Sequence, residues 1–494
     1  MSARRIGLAI GVAALAASIV LPPPAGMPRE AFVMAGLVLL MAAWWMTEAI
    51  PLTATALMPF VVMPLAGVMG AADAASAYYE PILFLLLGGA FIALAIERTG
   101  LHRRLSLAIL RSVGGGGKSS SARLLLAFMV SAALLSMLIS NTSTALIMMP
   151  MALAVLAGGG IRFSNSEAIG PTGASSSSSE AIGETANTEG LAGALPMGIA
   201  FAASIGGLGT IVGSPTNGIA VALVANMTGT QITFAQWMIY GVPVVILGIP
   251  LAAWIIARVQ RVAEHPFDID AARAAIDDHL PWTSAEKRLV PVIAITFALW
   301  LTQLLVAPLL PANSWTDGTI AIIAALTLFV LPDGTGRPLL LWKEADRAPW
   351  GVIMMFGGGL ALAAGMQASG LADWLGQALL PLEALPLVVV ALAMVAMVVL
   401  ITEFASNVAT ASAIIPVVAS LVVALGADPV LLAMPAALAA SWGFMLPAGT
   451  GPNAIAWSTG HIRIERMVGA GVLLDIAGIF LIVACVWGMA ALVG

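Results

Sequence analysis

The chain has 494 residues, of which 60% are hydrophobic and only 9% charged, and its mean hydropathy is +1.02. Soluble domains are about 45–50% apolar and about 25% charged, so this composition excludes a water-dispersed protein and makes a bilayer the solvent. One cysteine, Cys485, excludes an intrachain disulfide framework or a thiolate metal site, and four scattered histidines argue against a zinc enzyme. The net charge of −5 decides little, because in a membrane protein the position of each charge matters more than the sum.

The chain opens Met1-Ser2-Ala3-Arg4-Arg5 and runs apolar from Ile6 to about Pro22 with no clear small-residue cleavage pattern, which predicts a retained first span. Further spans are expected near 31–49, 52–70, 81–97, 193–224, 237–257, 289–309, 318–332, 350–368, 429–457 and 467–492, making about eleven. With the N-terminus cytoplasmic, 19 of the 20 basic residues fall inside and only Arg29 outside, the asymmetry that the positive-inside rule requires.

Two apolar stretches are interrupted by polar residues. Leu124–Ile139 and Ala145–Leu156 flank Ser140-Asn141-Thr142-Ser143-Thr144, and Leu387–Ile401 and Ala411–Leu425 flank 402–410. Each arm reads as shorter than the roughly 20 residues needed to cross hydrocarbon. Polar backbone at membrane depth is tolerated only where it is buried in protein or lines a wet cavity, so re-entrant hairpins are expected at 121–157 and 386–425. Ordinary packed helices with Ser, Thr and Asn contacts are the alternative for either stretch alone.

An internal repeat strengthens the first reading. Ser140-Asn141, Thr144 and Pro150 match Ser406-Asn407, Thr410 and Pro416 at a displacement of 266 positions. Gly88-Gly89 matches Gly358-Gly359 at 270, and Gly213-Ser214-Pro215-Thr216-Asn217 resembles Gly449-Thr450-Gly451-Pro452-Asn453 at 236. The displacement falls by 30 because the first half carries a Ser-rich insertion at 158–190, whose composition reads as a disordered loop.

The organisation expected is therefore a first span and loop at 1–30, a first repeat at 31–262 with its broken helix at 193–224, an amphipathic linker at 263–288, and a second repeat at 289–494 with its broken helix at 429–457. An odd number of spans separates equivalent elements, so the halves are expected upside down relative to each other. The fold class is an all-α polytopic membrane protein with an inverted-topology repeat, the architecture of secondary transporters. Freed carbonyls with Ser, Thr and Asn oxygens at the breaks suit a hard cation such as sodium, and half-helix N-termini suit an anion.

At these motifs the chain resembles the divalent anion:sodium symporter (DASS) family of INDY-type carboxylate transporters. Ser140-Asn141-Thr142 and Ser406-Asn407-Val408 are similar to its paired Ser-Asn-Thr motifs, and Trp45-Met46-Thr47-Glu48-Ala49-Ile50-Pro51 and Thr402-Glu403-Phe404 to other family patterns. The resemblance implies one sodium site from Ser136, Ser140, Asn141 and the Gly213 carbonyl, and a second from Thr402, Ala405, Asn407 and the Gly449 carbonyl. It also implies a homodimer, at least two coupling sodium ions and no organic cofactor, in the inner (plasma) membrane in contact with lipid. The anion pocket would be built from Ser140, Asn141, Thr142, Ser214, Thr216, Ser406, Asn407, Val408, Thr450 and Pro452. Val408 departs from the family's threonine, Gly451 stands where proline is common and Gly449 where alanine is common.

No Lys or Arg lies at a predicted hairpin tip or broken helix, so the charge of a dianion at the midplane calls for bound cations. Of the other acids, Glu48 reads as a helix-terminal partner, Glu403 as a tuner of the cation site or a bond to the opposing arm, and Asp475 as an interhelical contact. The function expected is sodium-coupled import of C4-dicarboxylates such as succinate, malate or fumarate by alternating access of the elevator type. A sulfate or other oxyanion symporter, or a dicarboxylate exchanger, is the alternative within transporters. An intramembrane enzyme is a distant third, since His102, His265, His279 and His461 all fall in loops and no mid-span acid pair is apparent. No nucleic-acid role is indicated.

Overall fold

The computed structural model describes residues 2–114, 121–159, 188–265, 267 and 281–493. Among them the regular structure is entirely helical, apart from one isolated bridge between Pro332 and Pro338. Nine of the described helices are long and apolar enough to cross a membrane, or ten if the bent pair Ser284–Leu301 and Gln303–Leu309, which turns by 66°, counts as one. The stretch 52–70 is divided into Leu52–Thr55 and Met58–Leu65. Most of the Ser-rich insertion, and Ile269, Ala272 and Ile276 of the linker, lie outside the described residues.

The interrupted stretches differ from the expectation. Their helices are Ser121–Ser136 and Asn141–Gly158 in the first pair, and Leu387–Phe404 and Asn407–Leu425 in the second. Three of the four arms have 18 or 19 residues and pass for spans by length, so shortness does not distinguish them. Capping explains the difference. Ser140 and Ser406 each accept a hydrogen bond from the backbone N–H three residues on (Ser143 and Ala409), and this lets the helix start at the asparagine. The polar residues read as an interruption are therefore mostly the first turn of a helix.

The broken helices form where the sequence puts Gly, Pro and Asn. Leu191–Gly207 is buried along its whole length, and the chain resumes as Pro215–Thr228; in the second half Pro429–Ala439 is followed by Gly451–Ser458. Proline in the first turn tolerates the missing N–H and presets the helical φ. Each broken helix packs across the repeat: Pro215–Thr228 lies against Asn407–Leu425, and Gly451–Ser458 against Asn141–Gly158.

Glycines set the closest helix approaches, as expected where lipid gives no hydrophobic drive between helices. Gly88 faces the Ala321 backbone at 2.6 Å from where a Cβ would stand, and its repeat counterpart Gly358 faces Ala56 at 2.4 Å. In the first two helices, Ala3–Val20 and Arg29–Thr47, Gly7, Gly11 and Gly36 make room for Thr47, Trp44 and Ser18. Ion pairs tie the loops at the helix ends. Arg98 reaches Asp333 at 2.5 Å and Glu344 at 3.4 Å, Arg337 reaches Glu344 at 2.6 Å, and Arg104 reaches Glu286 at 2.9 Å. Two hydrogen bonds from Thr335, and one from Arg98, hold the Asp333 carboxyl well below the usual carboxylate range.

Candidate substrate and cation site

One cavity of about 430 Å³ collects the residues expected in the anion pocket: Ser140, Asn141, Thr142, Ser214, Thr216, Ser406, Asn407, Val408, Thr450 and Pro452 all line it. What brings them together is a convergence of helix N-termini. Ser140, Ser406, Ser214 and Thr450 are the N-cap residues of four different helices, two from each half, and all four face the same space. Each terminus presents unpaired N–H groups and about half a positive charge, so four sum to roughly two.

Behind the tips lie two oxygen clusters with the same geometry. In the first, Ser136 Oγ is 2.7 Å from the Ala203 carbonyl and 2.8 Å from Asn141 Oδ1. In the second, Thr402 Oγ1 is 2.7 Å from the Ala440 carbonyl and 3.0 Å from Asn407 Oδ1. A hydroxyl has one proton, so it cannot donate to both oxygens at once. With the Asn141 amide turned so that its nitrogen faces inward, its two N–H groups stand within reach of Gly213 O and Ala203 O at 3.1 Å and Ser136 Oγ at 2.8 Å. Of the residues expected as cation ligands, Ser136, Asn141 and Gly213 thus meet at one point, and Thr402 and Asn407 at another. Ser140 Oγ is engaged instead as a cap and with Ser143 Oγ at 3.0 Å. Ala405 is buried at the second tip with extended backbone, and Gly449 lines the cavity.

The clusters are braced from behind. Asn217 Nδ2 donates to the Gly207 and Thr210 carbonyls at 2.7 and 2.8 Å, and its counterpart Asn453 donates to the Leu446 carbonyl at 3.2 Å. Thr210 Oγ1 donates to Met137 O at 2.7 Å. Glu403, the counterpart of Met137, takes the corresponding place with a carboxylate that accepts from the Met445 and Leu446 N–H groups. It therefore bonds the break preceding Gly451–Ser458 rather than the opposing arm. Asp475 is buried beside Glu403 and Phe444, an interhelical contact, and with Glu403 it makes a mid-span acid pair that the sequence does not make apparent. Glu48 caps its helix in the left-handed region, and its carbonyl accepts from Arg4 Nε at 2.9 Å.

The tips also touch across the repeat. A Cβ on Gly451 would stand 2.5 Å from Thr142 Oγ1, so glycine there leaves room for the Thr142 side chain. Val408 lines the cavity one residue after Asn407, in the place that Thr142 holds on the first tip. Val408→Thr restores a hydroxyl on that wall without adding volume. The expected result is a shift of at least threefold in the ranking of succinate against sulfate, read by competition for uptake, at unchanged expression; an unchanged ranking removes this position from the pocket.

Two cationic side chains that the sequence argument placed away from the tips come close in space. Arg347 lines the cavity with Glu97, and Arg4 lines a neighbouring cleft with Phe404, Ala405 and Ser406. No Lys or Arg stands at a tip or break, yet a fixed cation lines the same cavity. Glu97 and Arg347 lie 250 positions apart and away from the tips and breaks, and only the packing of Pro81–Thr99 beside the segment before Trp350 joins them.

Residues 2–493 match the family described as the sodium:sulfate symporter transmembrane region. A sodium-dependent dicarboxylate transporter of Staphylococcus saprophyticus is 36% identical over 490 residues, covering 98% of this chain and 90% of that protein. One of Staphylococcus aureus is 35% identical over 492 residues with the same coverage. Two solved transporters share the fold at low identity: Neisseria gonorrhoeae MtrF, described as illuminating a class of antimetabolite efflux pumps (TM-score 0.55, 12% identity, 99% and 95% of the two chains), and Alcanivorax borkumensis YdaH (TM-score 0.57, 15% identity, 94% and 98%). The apolar helices, the paired Ser-Asn tips and the match over nearly every residue agree: this multi-pass membrane protein belongs to the sodium:sulfate symporter transmembrane family and is a transporter rather than an enzyme.

Proposed function

We propose that the chain couples sodium to the import of C4-dicarboxylates such as succinate, malate or fumarate. The observation that carries this reading is the convergence of four helix N-termini on one cavity backed by two oxygen clusters. The N-termini provide N–H donors and positive field for two carboxylates without a permanent countercharge at the tips. A carboxylate at each end of a short chain suits two pairs of termini, one from each half. The names of the relatives support the dicarboxylate and the sodium dependence.

The oxygen clusters fit a hard monovalent cation. An amide side chain among three oxygens has two ways to satisfy them: nitrogen inward as donor, or oxygen inward sharing a cation with them. Asn141 would hold the first sodium with Ser136 and the Gly213 carbonyl, and Asn407 the second with Thr402, Ala405 and the Gly449 carbonyl. Each asparagine is also the first residue of a helix whose N-terminus faces the anion. Cation and anion binding are then coupled through a single residue on each tip. Two sodium ions balance the dianion; a third would draw on the membrane potential, about 2.3 kcal/mol per charge per 100 mV.

Alternating access follows by movement of the tip-bearing helices against the wall formed by Pro81–Thr99 and Trp350–Ala368, with the halves inverted in the membrane. The test is uptake of labelled succinate by proteoliposomes with and without an inward sodium gradient, with sulfate as competitor. Concentrative, sodium-dependent uptake is expected. Sodium-independent uptake that requires internal carboxylate identifies an exchanger and overturns the proposal.

A further inference from the structure

We propose that Arg347 is an outer anion-binding position, at which the substrate's carboxylate is taken up before it reaches the buried helix start at Ser214 and Thr216, and that Glu97 is the counter-ion it displaces. The inference rests on the reading of the converging helix N-termini as the anion site.

Arg347 shares the cavity with the tips, yet its side chain is 57% exposed whereas Ser214 and Thr216 are 3% and 1% exposed. That gradient puts Arg347, with the exposed Ser140 and Thr142, on the open side of the cavity, its mouth, and the start of Pro215–Thr228 at its floor. Among the described residues lining this cavity it is the one Lys or Arg. The N-terminus of Trp350–Ala368, whose cap Pro349 has no side-chain bond to offer, faces the same mouth and adds its positive end.

The ion pairs around it separate a structural role from a binding one. The segment 332–349 is already held by Arg98 and Arg337 through the close contacts to Asp333 and Glu344. Arg98 also donates to the Pro338 and Leu339 carbonyls. Arg347 contributes little to that hold. Its contact with Glu97 is 3.8 Å, and the Glu97 side chain is 39% exposed. An exposed pair at that distance is weak and exchangeable. The guanidinium fork matches a carboxylate with two parallel hydrogen bonds, so a free dicarboxylate that engages it in that way outcompetes a single long contact to Glu97. The second carboxylate of the same molecule is then directed down the cavity. A cation at the mouth raises the local anion concentration and the rate of entry, an effect that weakens with salt.

The experiment uses right-side-out and inside-out vesicles from cells expressing the full chain, and compares wild type with Arg347→Gln, Arg347→Lys and Glu97→Gln. Wild type must first show sodium-dependent succinate transport, and its failure there counts against the proposed function alone. For Arg347→Gln, the half-saturating succinate concentration is expected to rise five- to tenfold in the one vesicle orientation that presents the mouth. The half-saturating sodium concentration should be unchanged and the maximal rate much less affected. Arg347→Lys recovers only part of the affinity, and Glu97→Gln lowers the half-saturating concentration. The wild-type value, but not that of Arg347→Gln, rises with added salt. Unchanged succinate affinity in both orientations for Arg347→Gln and Glu97→Gln overturns the proposal. So does a loss of maximal rate equal in both orientations, which marks Arg347 as structural.

Discussion

Asn141→Ala and Asn407→Ala are each expected to weaken sodium dependence and concentrative uptake together. Each amide stands within about 3 Å of a hydroxyl that is itself bonded to a carbonyl, and Asn141 also reaches the Gly213 carbonyl. Alanine leaves those oxygens without their common partner, a loss of about 1–3 kcal/mol for a buried polar group. At 1.4 kcal/mol per decade this is roughly a tenfold to hundredfold fall in cation affinity. Because the asparagine also opens the helix that faces the anion, the half-saturating concentrations of sodium and succinate rise together. Sodium titration of succinate uptake in proteoliposomes checks this. Normal transport with unchanged sodium affinity in both variants refutes the assignment of the oxygen clusters.

The second large effect comes from a residue that carries no side chain. A Cβ on Gly207 would stand 2.2 Å from Asn141 Oδ1 and 3.0 Å from its Cγ and Nδ2, nearer than real contacts allow. Gly207→Ala therefore pushes the amide out of register with Ser136 and the Gly213 carbonyl, with an overpacking strain of about 1–3 kcal/mol. At least a tenfold rise in the half-saturating sodium concentration is expected, with the protein still folded. Gly209→Ala is the control. Its Cβ would meet the end of the Met137 side chain at 2.6 Å, and a flexible thioether moves aside. Thermal stability with sodium titration separates the two; equal sodium affinity in both variants would show that Gly207 does not set the cluster.

The repeat was readable because the two halves keep the same residue types where backbone geometry demands them. Ser at the cap, Asn at the first helical position and Gly and Pro at the breaks each do a local job that a one-dimensional pattern reveals. A count of apolar residues makes the arms of the helix pairs shorter than the helices are, because it treats the polar residues as interruptions. A serine cap turns them into helix, and local capping competes with hydropathy in a way that an apolar count misses. Glu403 read ambiguously for a similar reason: its partners are N–H groups of Met445 and Leu446, 42 and 43 positions away, which no spacing suggests.

By itself the sequence determined the solvent, the helical class and the matching segments of the two halves, because hydrophobicity, capping and backbone breaks are properties of short segments, while the ten residues that line the cavity are named through the family resemblance. The tertiary structure alone decided that four helix ends share one field, that each broken helix packs on the opposite half, and that Arg347 and Glu97 stand at the same mouth. Electrostatic field and cavity shape are sums over residues distant in the chain, and only packing brings those residues within range of one another.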